Sequence, residues 1–141
     1  MRPFADIEAE IEALALAPEG PEAAAAALLA AGEEILEGWI SARGAEPTQA
    51  RQEGFRLLAL HRQGAKGDPS FNACRETCRE LVYHYNLIRS EPAHGDIQTR
   101  VRLAAYVARH LCYFIGGKLE ETGLGEFCCS SKPLRAGAAQ G

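Results

Sequence analysis

The sequence predicts an all-α fold: a single helical bundle of four main helices plus a short amino-terminal one. Two apolar ladders in the second half carry most of that prediction. Phe71, Cys74, Cys78, Leu81, Tyr85 and Ile88 are spaced 3-4-3-4-3, and Ile97, Val101, Ala104, Ala108, Leu111, Ile115 and Leu119 are spaced 4-3-4-3-4-4. Each ladder lays one continuous stripe along one side of a helix, and neither stripe can stay in water. The third observation is the connection between them. The loop from Ser90 to Gly95 is short enough to make helices 71–89 and 97–121 a central antiparallel pair.

In chain order, Phe4, Ile7, Ile11 and Leu14 give a short first helix that Pro18 and Gly20 end. Pro21, at the favoured first position, opens a second helix that runs through the Ala-rich segment to about Arg43, with Gly44 as its stop. Leu28, Ala31, Ile35 and Trp39 form its inner stripe, widened by Leu29, Leu36 and Ile40, while Glu33, Glu34 and Glu37 mark its wet side. A third helix is expected from Pro47 to about Gln63, with Phe55, Leu57 and Leu58 inward and Gly64 terminating it; Gly64 to Gly67 then reads as a mobile loop. Asp68-Pro69 starts the fourth helix, Pro92 and Gly95 set its far end, and Asp96 caps the fifth. Gly116-Gly117 falls where the fifth helix should still be running, at about 1 kcal/mol per Gly relative to Ala, which calls for a bend or the close passage of another backbone. Residues 1–129 read as one domain, and 130–141, with Pro, Gly, Ala and Ser and almost no apolar side chains, as a flexible carboxy-terminal tail.

A chain of 141 residues, 47% apolar and 24% charged, suits one soluble core. The charge-free run Ala23 to Gly32 is far short of the about 20 apolar residues that a membrane span needs. Met1-Arg2-Pro3-Phe4, followed by Asp6, Glu8, Glu10 and Glu12, does not read as a secretory signal, so a cytoplasmic protein is expected. Five cysteines with no Cys-x-x-Cys spacing then read as free thiols. The net charge of −4 hides a division. Residues 1–46 carry ten acidic side chains against Arg2 and Arg43, a net of −8, and residues 47–141 carry thirteen basic against nine acidic, a net of +4. Docking of the acidic amino-terminal helices on the basic carboxy-terminal pair accounts for this without an external ligand. The acidic balance also disfavours a nucleic-acid partner.

The polar sides of the two long helices carry the candidate binding residues: Arg75, Arg79 and Tyr83, flanked by Asn72 and Asn86, on the fourth, and Arg102, Tyr106, Arg109 and Tyr113 on the fifth. Arg offers a planar fork for carboxylate or phosphate, and Tyr beside it adds a stacking face and a hydroxyl, a combination that suits a small anionic ligand or an acidic partner helix. The plainer account is a solvated face, with Arg75 and Arg79 neutralised by Glu76 and Glu80 or by the acidic half. Cys74, Cys78 and Cys112 read as core. A metal set of His61, Cys74, Cys78 and His110 can be written down, but no spacing enforces it. Cys128 and Cys129, with Lys132 and Arg135 nearby to favour a thiolate, are the candidate reactive thiols or soft-metal ligands, helped by His110. No cofactor is required by the sequence.

Arg79-Glu-Leu-Val-Tyr-His84 has the form Arg-x4-His and resembles the catalytic signature of the HEPN ribonucleases, which are also small helical bundles. The resemblance covers these six residues, and Arg56 to His61 and Arg89 to His94 share the spacing. It implies His84 as general acid or base and Arg79 as a phosphate contact. No Gly-rich phosphate loop, His-Glu-x-x-His run or Gly-x-Ser-x-Gly elbow is present, so the reading leans away from an enzyme. It favours a small cytosolic accessory or regulatory protein that binds a protein partner or an anionic ligand through the Arg/Tyr face, alone or as a homodimer. The alternative is a thiol- or metal-based protein, redox-sensing or soft-metal-binding, and the further alternative a helical ribonuclease.

Overall fold

The computed structural model describes residues 2–68 and 71–123. They form five helices: α1 (Phe4–Leu14), α2 (Pro21–Ala42), α3 (Arg56–Ala65), α4 (Phe71–Ser90) and α5 (Ile97–Glu121). The two ladders lie inside as expected. Phe71, Cys74, Cys78, Leu81 and Ile88 of α4 are buried, as are Val101, Ala104, Ala108, Leu111, Ile115 and Leu119 of α5, whereas Arg75, Arg102 and Arg109 face outward. α4 and α5 pair through the short connection at residues 91–96, but they do not hold the centre alone. α5 packs as extensively on α2 as on α4, α3 bridges α2 and α4, and α1 lies across α2 and α5.

Close approach at the centre depends on one glycine. A Cβ on Gly32 of α2 would stand 2.8 Å from Leu81 Cδ2 and 3.2 Å from Leu57 Cδ1, so the missing side chain is what lets α3 and α4 close on α2. Gly117 is different. Nothing lies within 4 Å of the position its Cβ would take, and α5 runs through it without interruption, so the close backbone expected there is not found at that residue.

α3 departs from the expected bounds at both ends. It begins at Arg56 rather than after Pro47, and residues 43–55 form an ordered connection instead of two helical turns. Gly64 does not terminate α3. It is buried one residue before the end of the helix, and its carbonyl accepts from Trp39 Nε1 at 3.2 Å. The turn beyond is made at Gly67, with φ of +77°. Asp96 stands at the N-cap of α5 but makes no side-chain cap bond there; its own N–H donates to His94 Nδ1 at 3.0 Å. Asp68 turns its carboxylate to Lys118 Nζ at 3.0 Å, tying the α3–α4 connection to α5. Lys118 Nζ in turn lies 5.2 Å from the Phe71 ring centroid and 5.4 Å from that of Trp39.

The division of charge is expressed in two inter-helix contacts. Arg56 of α3 lies 2.6 Å from Glu37 and 3.5 Å from Glu33 of α2, and Arg109 of α5 lies 3.7 Å from Glu12 and 3.8 Å from Glu8 of α1. The Glu side chains expected on the wet side of α2 are therefore half-buried and engaged, Glu34 with Arg2. No helix is long and apolar enough to cross a membrane among the described residues.

Candidate functional site

A cleft of about 930 Å³ opens between residues 48–52, α3 and α4. Its lining is basic: Arg51 from the connection, Arg62 from α3, Lys66 just past its end, and Arg75 and Arg79 from α4. Arg75 and Arg79 are four residues apart within α4, so they present two cations on one side of that helix. Leu58, Ala59 and Ala65 supply apolar surface, Thr48, Gln52 and Gln63 supply uncharged polar groups, and among the described residues the lining contains no carboxylate. Among the described residues no carboxylate comes within ion-pair distance of Arg51, Arg62, Lys66 or Arg75. Arg79 alone of the five is paired, with Glu53 just outside the lining.

Polar clamps hold the wall in place. Gln63 of α3 accepts from Thr48 N at 2.8 Å through Oε1 and donates to Glu46 O at 2.7 Å through Nε2, so one side chain grips the connection at two points. Arg56 donates to Thr48 O at 2.9 Å while its guanidinium stays on the α2 carboxylates. The segment then closes in a two-residue turn. Gln52 and Phe55 exchange both backbone bonds at 3.0 Å, and Glu53 and Gly54 have φ of +55° and +86°, the signs of a type I′ turn.

His61 lies at the back of the cleft. Its Nε2 bonds to Phe71 O at 3.0 Å, and because a carbonyl only accepts, Nε2 carries the proton. Burial lowers its pKa from the ordinary value, and the charges of Arg75 and Arg79 push the same way against the Phe71 bond. A neutral imidazole results, with its lone pair on Nδ1. Glu53 is shifted down by its hydrogen bond to Arg79, by the Arg79 charge, and by a bond from the Gln52 amide. The other end of that amide, Gln52 Oε1, is buried with no hydrogen-bond partner among the described residues.

The remaining candidates do not converge on this cleft. Arg109 and Tyr113 lie on the α1 side of α5, where Arg109 Nε donates to Tyr113 Oη at 3.0 Å and both lean on α1 carboxylates. Arg102 donates to Thr99 Oγ1 at 3.3 Å. Tyr83 and Tyr106 are exposed, and Tyr106 borders a shallower groove with Thr77, Glu80, Val107 and His110. The two Arg/Tyr stripes are thus separate surfaces, with Arg75 and Arg79 facing α3 and Arg109 facing α1. Arg62, Lys66 and Arg51 were not singled out from the sequence. The four-residue spacing of Arg62 and Lys66 is the one local signal among them, and Arg51 carries none.

Arg79 and His84, the pair in the ribonuclease-like motif, are five residues apart on α4 and so point about 140° apart around the helix. Arg79 is engaged by Glu53, while His84 stacks edge-on to Tyr83 and has a buried Nδ1 without a hydrogen-bond partner among the described residues. Burial lowers the pKa of His84 against the opposing charge of Glu80. Cys74, Cys78 and Cys112 are buried free thiols. The Cys78 thiol is raised well above its ordinary value by its bond with Cys74 and by burial, and burial pushes Cys112 up to about 12. Among the described residues no three His, Cys, Asp or Glu side chains are grouped to hold a metal ion. His110 is exposed on α5, and Cys128 and Cys129 lie outside the described residues. Comparison with protein-family models, with curated proteins and with solved structures finds no match to this chain.

Proposed function

We propose that the protein is a small binding protein for a multiply charged anion, taken up in the basic cleft, in an accessory or regulatory role. The observation that carries this reading is the set of five cations around one concavity with, among the described residues, no carboxylate in its lining. Like charges held together repel, and a counter-anion relieves that repulsion. Arg forks present paired donors that match two oxygens of a phosphate or carboxylate. A phosphate-rich ligand suits the cleft better than a nucleobase, because among the described residues the one aromatic ring in its lining is His61, which is buried and tied to Phe71 O. The clamps of Gln63 and Arg56 support the reading further, since a wall already ordered loses little freedom when a ligand arrives.

Thermal unfolding with inorganic tripolyphosphate at low salt tests it. A ligand that binds only the native state raises Tm by mass action. The wild type is expected to show that rise and the Arg62→Ala/Arg75→Ala variant to lose most of it. Both side chains are exposed and lack a carboxylate partner among the described residues, so the variant's own stability should stay within about 0.5 kcal/mol of wild type. A wild-type Tm that does not move with tripolyphosphate removes the reading.

A further inference from the structure

We propose that the Glu53 carboxylate is a resident substitute for the ligand: it occupies the anion subsite made by Arg79, Arg75 and the Gln52 amide, and an incoming phosphate group displaces it. The inference rests on the binding function proposed above and deepens it by naming where one phosphate sits and what competes for that place. Arg79 Nη2 donates to Glu53 Oε2 at 2.8 Å and Nη1 to Oε1 at 3.4 Å, the side-by-side pairing that a guanidinium offers to two phosphate oxygens. The Gln52 side chain bonds to the same carboxylate, and Arg75 adds its charge. Arg79, Arg75 and Gln52 all line the cleft, whereas Glu53 does not. An anionic group already rests on cleft donors, then, and it comes from outside the cleft wall.

The backbone beneath Glu53 gives a second, independent reason. A φ of +55° is a conformation that L-residues other than Asn and Asp rarely adopt, and the first central position of a type I′ turn favours Asn, Asp or Gly. Glu is the poorer local choice. Its carboxylate reach to Arg79 is a function that Gly lacks and that shorter Asn and Asp serve less well. The side chain is 56% exposed at the tip of a two-residue turn, so it can leave Arg79 for water without disturbing any helix. A single exposed carboxylate holds an Arg weakly. A ligand with several charges engages Arg79 together with Arg62, Lys66 and Arg75 and prevails, while a singly charged anion gains too little to do so. Glu53 thereby screens the cleft against weakly charged anions.

Titration calorimetry with inorganic tripolyphosphate at low salt, on wild type, Glu53→Gln and Arg79→Ala, tests the inference. Glu53→Gln keeps the side-chain length and removes the charge, and it is expected to bind roughly fivefold tighter than wild type, the size that release of a surface ion pair allows. Arg79→Ala is expected to bind more weakly than wild type. Should Glu53→Gln fold poorly, Glu53→Gly, which suits the positive φ, replaces it with the same expected gain. Equal or weaker binding by the Glu53 variants, with wild-type binding intact and weakened by Arg79→Ala, overturns the substitute role and leaves the binding function standing. Absence of binding by wild type and by the Glu53 variants overturns both.

Discussion

At the back of the basic cleft the His61 ring donates from Nε2 to Phe71 O, joining the last turns of α3 to the first residue of α4. Its lowered pKa makes a pH prediction with a definite sign. The unfolded chain takes up this proton first as pH falls, so the stability contributed by neutral His61 is complete above about 6.5 and is lost as pH drops through that value toward the folded pKa. Denaturation midpoints should fall between pH 7 and pH 5, and less steeply in His61→Gln, with His84, also shifted down, accounting for part of the remaining slope. Nuclear magnetic resonance titration of the His61 ring checks the sign directly. A titration at or above the ordinary histidine value would contradict the arrangement. None of this was legible in the sequence, where His61 figured as one member of a metal set that no spacing enforces. Its role depends on a carbonyl ten residues away and on two guanidiniums brought close by the turn at Gly67.

Among elements, α2 and α5 each carry a glycine in mid-helix with opposite consequences. Ala in place of Gly117 meets open space, and helix propensity alone should stabilise the protein by up to about 1 kcal/mol. Ala in place of Gly32 gains the same propensity but drives its methyl onto Leu81 and Leu57, both fully buried, and overpacking of about 1–3 kcal/mol outweighs the gain. Urea unfolding should therefore rank Gly117→Ala above wild type and Gly32→Ala below it; equal midpoints for the two variants would show that the α2 crossing is looser than the contacts require. The helices that bury a stripe were readable to within a residue or two, because a 3-4 ladder of apolar side chains is a local signal of a tertiary event. α3 was misplaced for the converse reason. Pro47 looks like a start, but residues 47–54 have no apolar periodicity to keep a helix docked, and the backbone finds better partners in Gln63, Arg56 and the Gln52–Phe55 turn. That same misplacement hid the cleft, since its wall is the segment expected to be helical.

Over the whole molecule, three thiols report on how the bundle opens. Cys74 and Cys78 on α4 face the core, and Cys112 on α5 sits beneath α1, with its Sγ 3.8 Å from Phe4 O. Burial leaves all three unreactive in the folded state, and the Cys78 and Cys112 thiols are in addition raised above their ordinary values. In a Cys128→Ser/Cys129→Ser background, an aromatic disulfide reagent at neutral pH should label all three at one slow rate set by global unfolding. A faster, separate phase at Cys112 would mean that α1 lifts away by itself, leaving α2 to α5 assembled. Such a result is the natural failure mode of this architecture, for Arg109 is exposed where it meets Glu8 and Glu12, and so weakly held.

Trp39 is the chain's single tryptophan, and its indole N–H rests on the α3 carbonyl at Gly64 while Phe71 and Lys118 press on the ring. The molecule therefore carries its own fluorophore at the junction of α2, α3, α4 and α5, one helix turn from the cleft residues His61 and Lys66. Any displacement of α3 that accompanies occupancy of the cleft will alter the polarity around the indole and shift its emission, so unlabelled protein suffices to follow that motion in real time.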